Sequence, residues 1–421
     1  MTTTIELLPG VTLRHHPDHR FKQGCLSFAM IRPMCADEAS LNALIPAVLL
    51  RGTKHHPDLQ TITWKLDDLY GASLSTQVRR VGDYQTMGLY CAFLEDRFAL
   101  TGDQILSPMV DFLREVLLEP ALEDGVFRAD YVESEKKNLI STIESELNDK
   151  RAYAMGQLLR TMCKADSYGI PRLGDKESVA AITPKAAYDH YRKCLRESPI
   201  HLFYVGSAPA ETVAGLLNPL FESIGRNYVN LPAQTSFQDA GGSDVTEEMD
   251  VAQGKLCMGY VTPITNRDEE FVAMQVMNTI FGAGMTSKLF MNLREKMSLC
   301  YAIGSGYYGS KGILTVSAGI DFDKEALTRQ EVGRQLEAMQ QGHISDEEMT
   351  AAKEALLSSL RCTHDSPSSI EGYYATAALS GLKLTVDAYM EAVRAVTKDQ
   401  VAAAANSLQL HTTYFLKGVT Q

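Results

Sequence analysis

The chain has 421 residues, 45% apolar and 22% charged, with 30 Gly and 15 Pro, values that exclude a disordered, collagen-like or coiled-coil protein. Forty basic against 52 acidic side chains leave a formal charge of −12, and such a surface repels phosphate backbones and anionic lipid, which argues against nucleic-acid and membrane partners. At roughly 100–200 residues per domain the length predicts two to four domains.

Met1-Thr-Thr-Thr-Ile-Glu shows neither a basic n-region nor an apolar h-region. No apolar run reaches the ~18 residues of a membrane span. The cysteines at 25, 35, 91, 163, 194, 257, 300 and 362 form no C-x-x-C and are too sparse for a disulfide framework, so they read as reduced, buried thiols. The expectation is a soluble, cytoplasmic protein.

In chain order, CLSFAMIRP at 25–33 reads as an apolar strand. An acidic turn and an amphipathic helix ending at Gly52 follow, then a second helix and two strands, TQVRRVGDY and TMGLYCAF. Residues 130–148 carry Leu139, Ile140, Ile143 and Leu147 as a helical stripe. Thr183-Pro184 places a hydroxyl at the N-cap and proline at the first helical position, where its missing N–H does no harm. Residues 230–250, NLPAQTSFQDAGGSDVTEEMD, show neither period and read as a linker between a domain at 1–229 and a domain at 251–421.

The second part repeats the first. An offset of 230 places Gln23-Gly24 on Gln253-Gly254, Leu26 on Leu256, Pro33 on Pro263, Ala43 on Ala273 and Gly52 on Gly282. KLCMGYVTP, an acidic turn, a helix, then the strands YAIGSGYY and GILTVSAGI keep the same order, so duplication is the better reading. Ser345-Asp-Glu-Glu348 and Thr397-Lys-Asp-Gln400 are capping boxes. The expected fold class is α+β, with helices stacked on sheets.

Two glycine motifs invite a nucleotide. Gly304-Ser-Gly306-Tyr-Tyr-Gly309 is followed by a strand-like run from Lys311 to Ile320 rather than by the helix a pyrophosphate site needs, so its glycines read as a hairpin turn. Gly282-Ala-Gly284-Met-Thr-Ser-Lys288 lacks the Gly-Lys-Ser/Thr order of a phosphate loop. His15-His16-x-x-His19 and His55-His56 sit beside Pro and Asp without Cys or Glu at helical spacing, and read as solvated loop histidines.

Three longer segments carry a resemblance. LNALIPAVLLRGTKHHPDLQTITWKLDDLYGASLS at 41–75, SYGIPRLGDKESVAAIT at 167–183 and FGAGMTSKLFMNLREKMSLCYAIGSGYY at 281–308 resemble signature regions of the pitrilysin, insulinase and mitochondrial-processing-peptidase family. The resemblance implies two duplicated domains, each a mixed β-sheet backed by helices, forming a cupped half-shell that closes with a second shell around a peptide. It also implies H-x-x-E-H on a helix, two histidines gripping zinc while the glutamate acts as base on bound water. With Arg51-Gly52-Thr53 setting the register, the histidine positions fall on Ala43 and Ala47 and the glutamate position on Pro46. Aligning Phe127-x7-Glu135 with the family's lead-in places Thr142 at the third-ligand position. Nearby Glu133, Glu135, Glu144 and Glu146 read as a solvated helix face.

A methyl group has no lone pair and proline takes up no proton, so no cofactor is expected in this chain. Family members also present an arginine and a tyrosine from the second domain, matched here by Arg294 and Tyr301, to clasp a carbonyl and donate to a developing oxyanion. The implied function is a non-catalytic subunit, paired with a zinc-bearing homologous peptidase subunit that cleaves peptides and lining the chamber with Arg294 and Tyr301. Two alternatives stay open: a scaffold or assembly protein without any role in proteolysis, and a hydrolase with a different metal site using His15, His16 or His55.

Overall fold

The computed structural model describes residues 2–419; the side chain of Leu147 also lies outside what is described. The chain divides into two compact units, Met1–Glu144 with Ile170–Ala233 and His364–Thr376, and Ser145–Gly169 with Gln234–Thr363 and Ala377–Gln421. Each unit therefore takes in a segment from the other half of the chain. Among the described residues no helix is long and apolar enough to cross a membrane.

The first unit begins with strands β1 (Thr3–Leu8), β2 (Val11–Pro17) and β3 (Gln23–Pro33), followed by helices α1 (Ala36–Leu49) and α2 (Leu59–Asp68). The hairpin β4 (Ser73–Val81) and β5 (Tyr84–Leu94) comes next, then α3 (Leu106–Leu118), a small β6 (Leu122–Glu123) and β7 (Val126–Phe127) pair, and α4 (Ala129–Asn148). After α5 (Lys150–Met162) the chain runs through α6 (Lys176–Ala181), α7 (Pro184–Glu197), β8 (Ile200–Gly206) and α8 (Ala210–Glu222). The second unit holds β9 (Ser243–Met249), β10 (Gly254–Val261), α9 (Phe271–Phe281), a π-helical stretch Phe290–Lys296, β11 (Cys300–Tyr308) and β12 (Ile313–Ile320). Helices α10 (Glu325–Gln340), α11 (Asp346–Cys362), α12 (Pro367–Ser380), α13 (Val386–Ala395) and α14 (Lys398–Asn406) precede the last strand, β13 (Gln409–Gly418).

The sheets share one topology, as duplication requires. The first runs β1-β2-β8-β3-β5-β4 and the second β11-β12-β10-β13-β9, so β10 stands for β3, β12 for β5, β11 for β4, β13 for β8 and β9 for β2. The directions agree as well. β3 is antiparallel to β5 and β8, while β2 is parallel to β8. β10 is antiparallel to β12 and β13, while β9 is parallel to β13. Each unit is thus a mixed sheet backed by helices, the α+β class read from the sequence.

Local signals hold where the cause is local. Ser345 with Glu348 and Thr397 with Gln400 form both bonds of their capping boxes, and Thr183 accepts the Ala186 amide one turn into α7. Asp58 and Thr61 form a third box at α2. Other readings are corrected by partners distant in sequence. Residues 243–249, inside the stretch without a period, form β9 because β13 offers a parallel edge. Gly304 and Gly306 lie within β11, paired to Ser317 and Thr315, and the reversal falls at 309–312, where Gly312 takes a φ of 70°. β12 does not alternate: all eight of its residues are buried, as in the interior strand of a covered sheet.

Helix α5 lies on the second sheet. Ala154 and Leu158 pack on Cys257, Tyr414 and Leu416, and a Cβ on Gly259 would stand 2.6 Å from the Met162 sulfur, so a larger residue there would make the Met162 side chain shift. Just beyond it the Lys311 ammonium meets the Asp166 carboxylate at 2.8 Å, the two side chains 0% and 1% exposed. The second Asp166 oxygen accepts the Gln238 amide, and Lys311 donates to the Gln234 carbonyl at 3.2 Å. The first unit answers with residues 364–376: Ile370 packs on Cys25, Phe203 and Val205, and buried Glu371 accepts from Ser27 (2.8 Å) and from both terminal nitrogens of Arg79.

A buried pair broken on one side leaves an uncompensated charge. Lys311→Met is therefore expected to cost about 3–5 kcal/mol. Lys185→Ala, which removes an exposed pair with Asp189, should change stability by less than ~1 kcal/mol. Urea unfolding followed by far-ultraviolet circular dichroism checks both.

Candidate functional site

Helix α1 carries the positions that resemblance assigns to zinc. Ala43 and Pro46 are buried and Ala47 is half-buried. All three side chains are hydrocarbon, and Pro46, inside the helix, also removes the N–H that would bond the Asn42 carbonyl. Two methyl groups and a pyrrolidine ring supply no donor to a cation, so these residues do not fit a zinc ion. Thr142 lies exposed on α4, its hydroxyl donating to the Asn138 carbonyl at 2.9 Å.

The neighbouring carboxylates are engaged in ion pairs. Glu133 holds Lys136 at 2.8 Å, Glu144 holds Lys176 at 3.6 Å, and Glu135 holds Arg51 at 3.3 Å. Glu135 is only 12% exposed, which corrects its reading as part of a solvated face. The Arg51 guanidinium reaches back from the end of α1 and draws it in. Among the described residues no three His, Cys, Asp or Glu side chains converge as metal donors.

The first histidine cluster is not a loop. His15 and His16 lie in β2; His15 is 4% exposed, stacks on Tyr204 and bonds the Ala208 carbonyl at 2.7 Å. His16 meets the Thr2 hydroxyl at 2.9 Å, and burial lowers its pKa. Parallel pairing with β8 buries alternate residues of β2, and nothing local announces that pairing. His19 is exposed. His55 and His56 do lie in the loop after α1, His55 against Glu119 just past the end of α3 at 3.2 Å and His56 against Glu115 of α3 at 2.8 Å.

A polar network, unannounced in the sequence, anchors α1. Asn42 donates to Gln85 at 2.9 Å, Gln85 donates to the Ala39 and Arg172 carbonyls, and the His190 Nε2–H donates to the Asn42 side-chain oxygen at 2.8 Å. Burial disfavours the charged imidazole and pushes its pKa down to about 4. The unfolded chain protonates first as pH falls from the ordinary imidazole value near 6.5. Stability is thus complete above that value and is lost as pH drops toward 4. Between pH 7 and pH 5 wild type should lose about 2 kcal/mol more than His190→Gln, read from urea midpoints at each pH.

Arg294 and Tyr301 flank the passage from the π-helical stretch into β11. Arg294 is 42% exposed, its guanidinium 4.6 Å over the Phe290 ring and 3.8 Å from Glu295. Its charge reaches the Cys300 thiol, tempering a pKa that burial pushes up to about 11. Tyr301 is 61% exposed and donates to Asp321 at 2.9 Å, which raises the phenol pKa; Asp321 in turn holds Lys324 at 2.8 Å. Asp321 was not read from the sequence: Cys300 pairs with Ile320 and Ala302 with Gly319, so Tyr301 is the extra residue of a bulge, and Asp321 lies one residue past the end of β12. A phenol has one proton, so donation to a substrate oxygen requires that Tyr301 leave Asp321.

Known proteins resemble this chain over its whole length. Residues 181–356 match the family described as Peptidase M16 inactive domain. The probable inactive metalloprotease YmfF of Bacillus subtilis (strain 168) is 30% identical over 409 residues, covering 97% of this chain and 96% of its own. A conserved protein from Enterococcus faecalis V583 superposes with a TM-score of 0.93 at 26% identity, covering 100% of this chain and 99% of that one. The peptidase M16 inactive domain from Pseudomonas fluorescens shares the fold, with a TM-score of 0.80 at 17% identity over 100% and 98% of the two chains. Together with hydrocarbon at Ala43, Pro46 and Ala47, these likenesses place the chain in the M16 peptidase family, as an inactive member.

Proposed function

We propose that this chain is the non-catalytic subunit of a heterodimeric peptidase. A homologous partner holds zinc and the catalytic base; this chain binds the peptide through Arg294 and supplies the Tyr301 hydroxyl to the oxyanion. The observation that carries the reading is the contrast between Ala43, Pro46 and Ala47 of α1, whose side chains offer a metal no donor, and a guanidinium and phenol left exposed at one helix-to-strand junction. Arg294 stacks on Phe290 while remaining 42% exposed, and Asp321 holds the phenol by a bond it can exchange. Eight free thiols, most of them buried, suit a reducing cytoplasm.

A second reading, a scaffold without a part in proteolysis, is favoured by one observation: the Tyr301 proton is already committed to Asp321. Kinetics of the reconstituted pair separate the two. An oxyanion donor is commonly worth ~10²–10³ in kcat, and Tyr301→Phe deletes the donor while keeping the ring, so kcat should fall by about that factor. Arg294→Ala should raise KM at least as much as it lowers kcat, because its contribution begins in the ground state. Size-exclusion chromatography verifies assembly, and elemental analysis should find about one zinc per pair and none with this chain alone. Wild-type rates in both assembled variants would establish the scaffold.

A further inference from the structure

The duplication allows the two sheets to be compared position by position on the face each turns toward its visiting helix. In the first unit the ladder runs Ser27–Tyr90–Ser75, then Ala29–Gly88–Gln77, then Ile31–Thr86–Arg79. In the second it runs Cys257–Ser317–Gly304, then Gly259–Thr315–Gly306, then Val261–Ile313–Tyr308. Ser27 and Arg79 mark the filled face, since both hold Glu371. Where the first unit has Ser75, Gln77 and Tyr90, the second has Gly304, Gly306 and Ser317, a net loss of side-chain volume even though Thr315 stands where the first unit has Gly88.

A cleft of about 690 Å³ remains, floored by Gly304 and Gly306 and walled by Arg151 and Met155 of α5 and by Met285 and Phe290. The fold itself does not require these two glycines. A Cβ on Gly306 would meet only the Thr315 hydroxyl at 3.7 Å, and one on Gly304 only the Gly282 carbonyl at 3.5 Å, both ordinary contacts. Neither residue has a positive φ, in contrast with Gly312 in the adjoining turn. Glycine inside a strand weakens it, and its usual counterpart is the close approach of another chain or a ligand.

Met155, Met285 and Phe290 give the cleft an apolar side, the two methionines adaptable and Met285 76% exposed, while Ser305, Thr315 and Ser317 add hydroxyls to its lining. At the rim Asp149 and Arg151 carry opposite charges, so the cleft has no net preference for an ion. Phe290 belongs both to this wall and to the platform under Arg294, which places the cleft beside the peptide-binding arginine. We propose that the cleft is a side-chain subsite that admits one large apolar residue of an extended peptide between Met155, Met285 and Phe290, over the glycine floor. The proposal rests on the peptidase-subunit reading and names its substrate class: peptides with an aromatic or large aliphatic residue.

The test uses the isolated chain, so it does not depend on zinc or on the partner's activity. Fluorescein-labelled Gly-Ala-Ala-Phe-Ala-Gly and the same peptide with Ser for Phe are titrated by fluorescence anisotropy. The Phe peptide should bind about tenfold or more tightly. Gly306→Gln, which restores the residue the first unit carries, should abolish that preference while leaving the circular dichroism melt unchanged. Should that variant misfold, Met285→Ser on the exposed wall should weaken the Phe peptide alone. Equal binding of the two peptides, or a Phe preference that survives both substitutions, overturns the subsite. So does loss of pair assembly in Gly306→Gln without any Phe preference in wild type, since the cleft is then a socket for the partner chain. A pair that cleaves nothing, with the Phe preference intact, would instead count against the peptidase-subunit reading alone.

Discussion

The ion pair of Lys311 and Asp166 sits where three parts of the second unit meet: the segment that carries α5, the β11–β12 hairpin turn, and the stretch leading to β9. Removing two charges from water costs several kcal/mol per ion, so such a pair persists only when its remaining hydrogen bonds are satisfied. Asp166 meets this condition with the amides of Tyr168 and Gln238. The arrangement fixes where α5 lies on the sheet, and the position of α5 sets one wall of the cleft over Gly304 and Gly306. In the first unit Glu371, held by Arg79 and Ser27, has the same part. The two pairs have the same polarity: the visiting segment brings the acid each time, and the β11–β12 turn supplies a lysine in one unit while β4 supplies an arginine in the other.

The loss of zinc chemistry is compact by comparison. At the positions that the family resemblance assigns to zinc, α1 carries Ala43, Pro46 and Ala47, and the helix is kept in place because alanine suits a buried helical face and the polar network of Asn42, Gln85 and His190 anchors it. Pro46 costs one backbone hydrogen bond in a helix whose neighbours are otherwise buried.

Sequence patterns reported correctly wherever cause and effect lie within one turn or one hairpin. The capping boxes at Ser345 and Thr397, the N-cap at Thr183 and the strand–helix–hairpin order of each half belong to this class. They misled where a distant strand decides. His15 and His16 read as turn residues until β8 pairs beside them, and residues 243–249 read as linker until β13 does. Gly304 and Gly306 suggested a turn, since glycine in sequence marks either a reversal or a close approach and only the register distinguishes them.

By itself the sequence determined the α+β class, the duplication and the hydrocarbon character of Ala43, Pro46 and Ala47, because strand and helix periods are local and the donor capacity of a side chain is a property of its atoms alone. Tertiary structure decided which half of the chain each helix serves, which histidines are buried, that the Tyr301 proton rests on Asp321, and that one face of the second sheet is hollow. Each of these depends on contacts between residues scores or hundreds of positions apart. Such pairings are set by how whole sheets accept whole helices, and no window of sequence contains both partners.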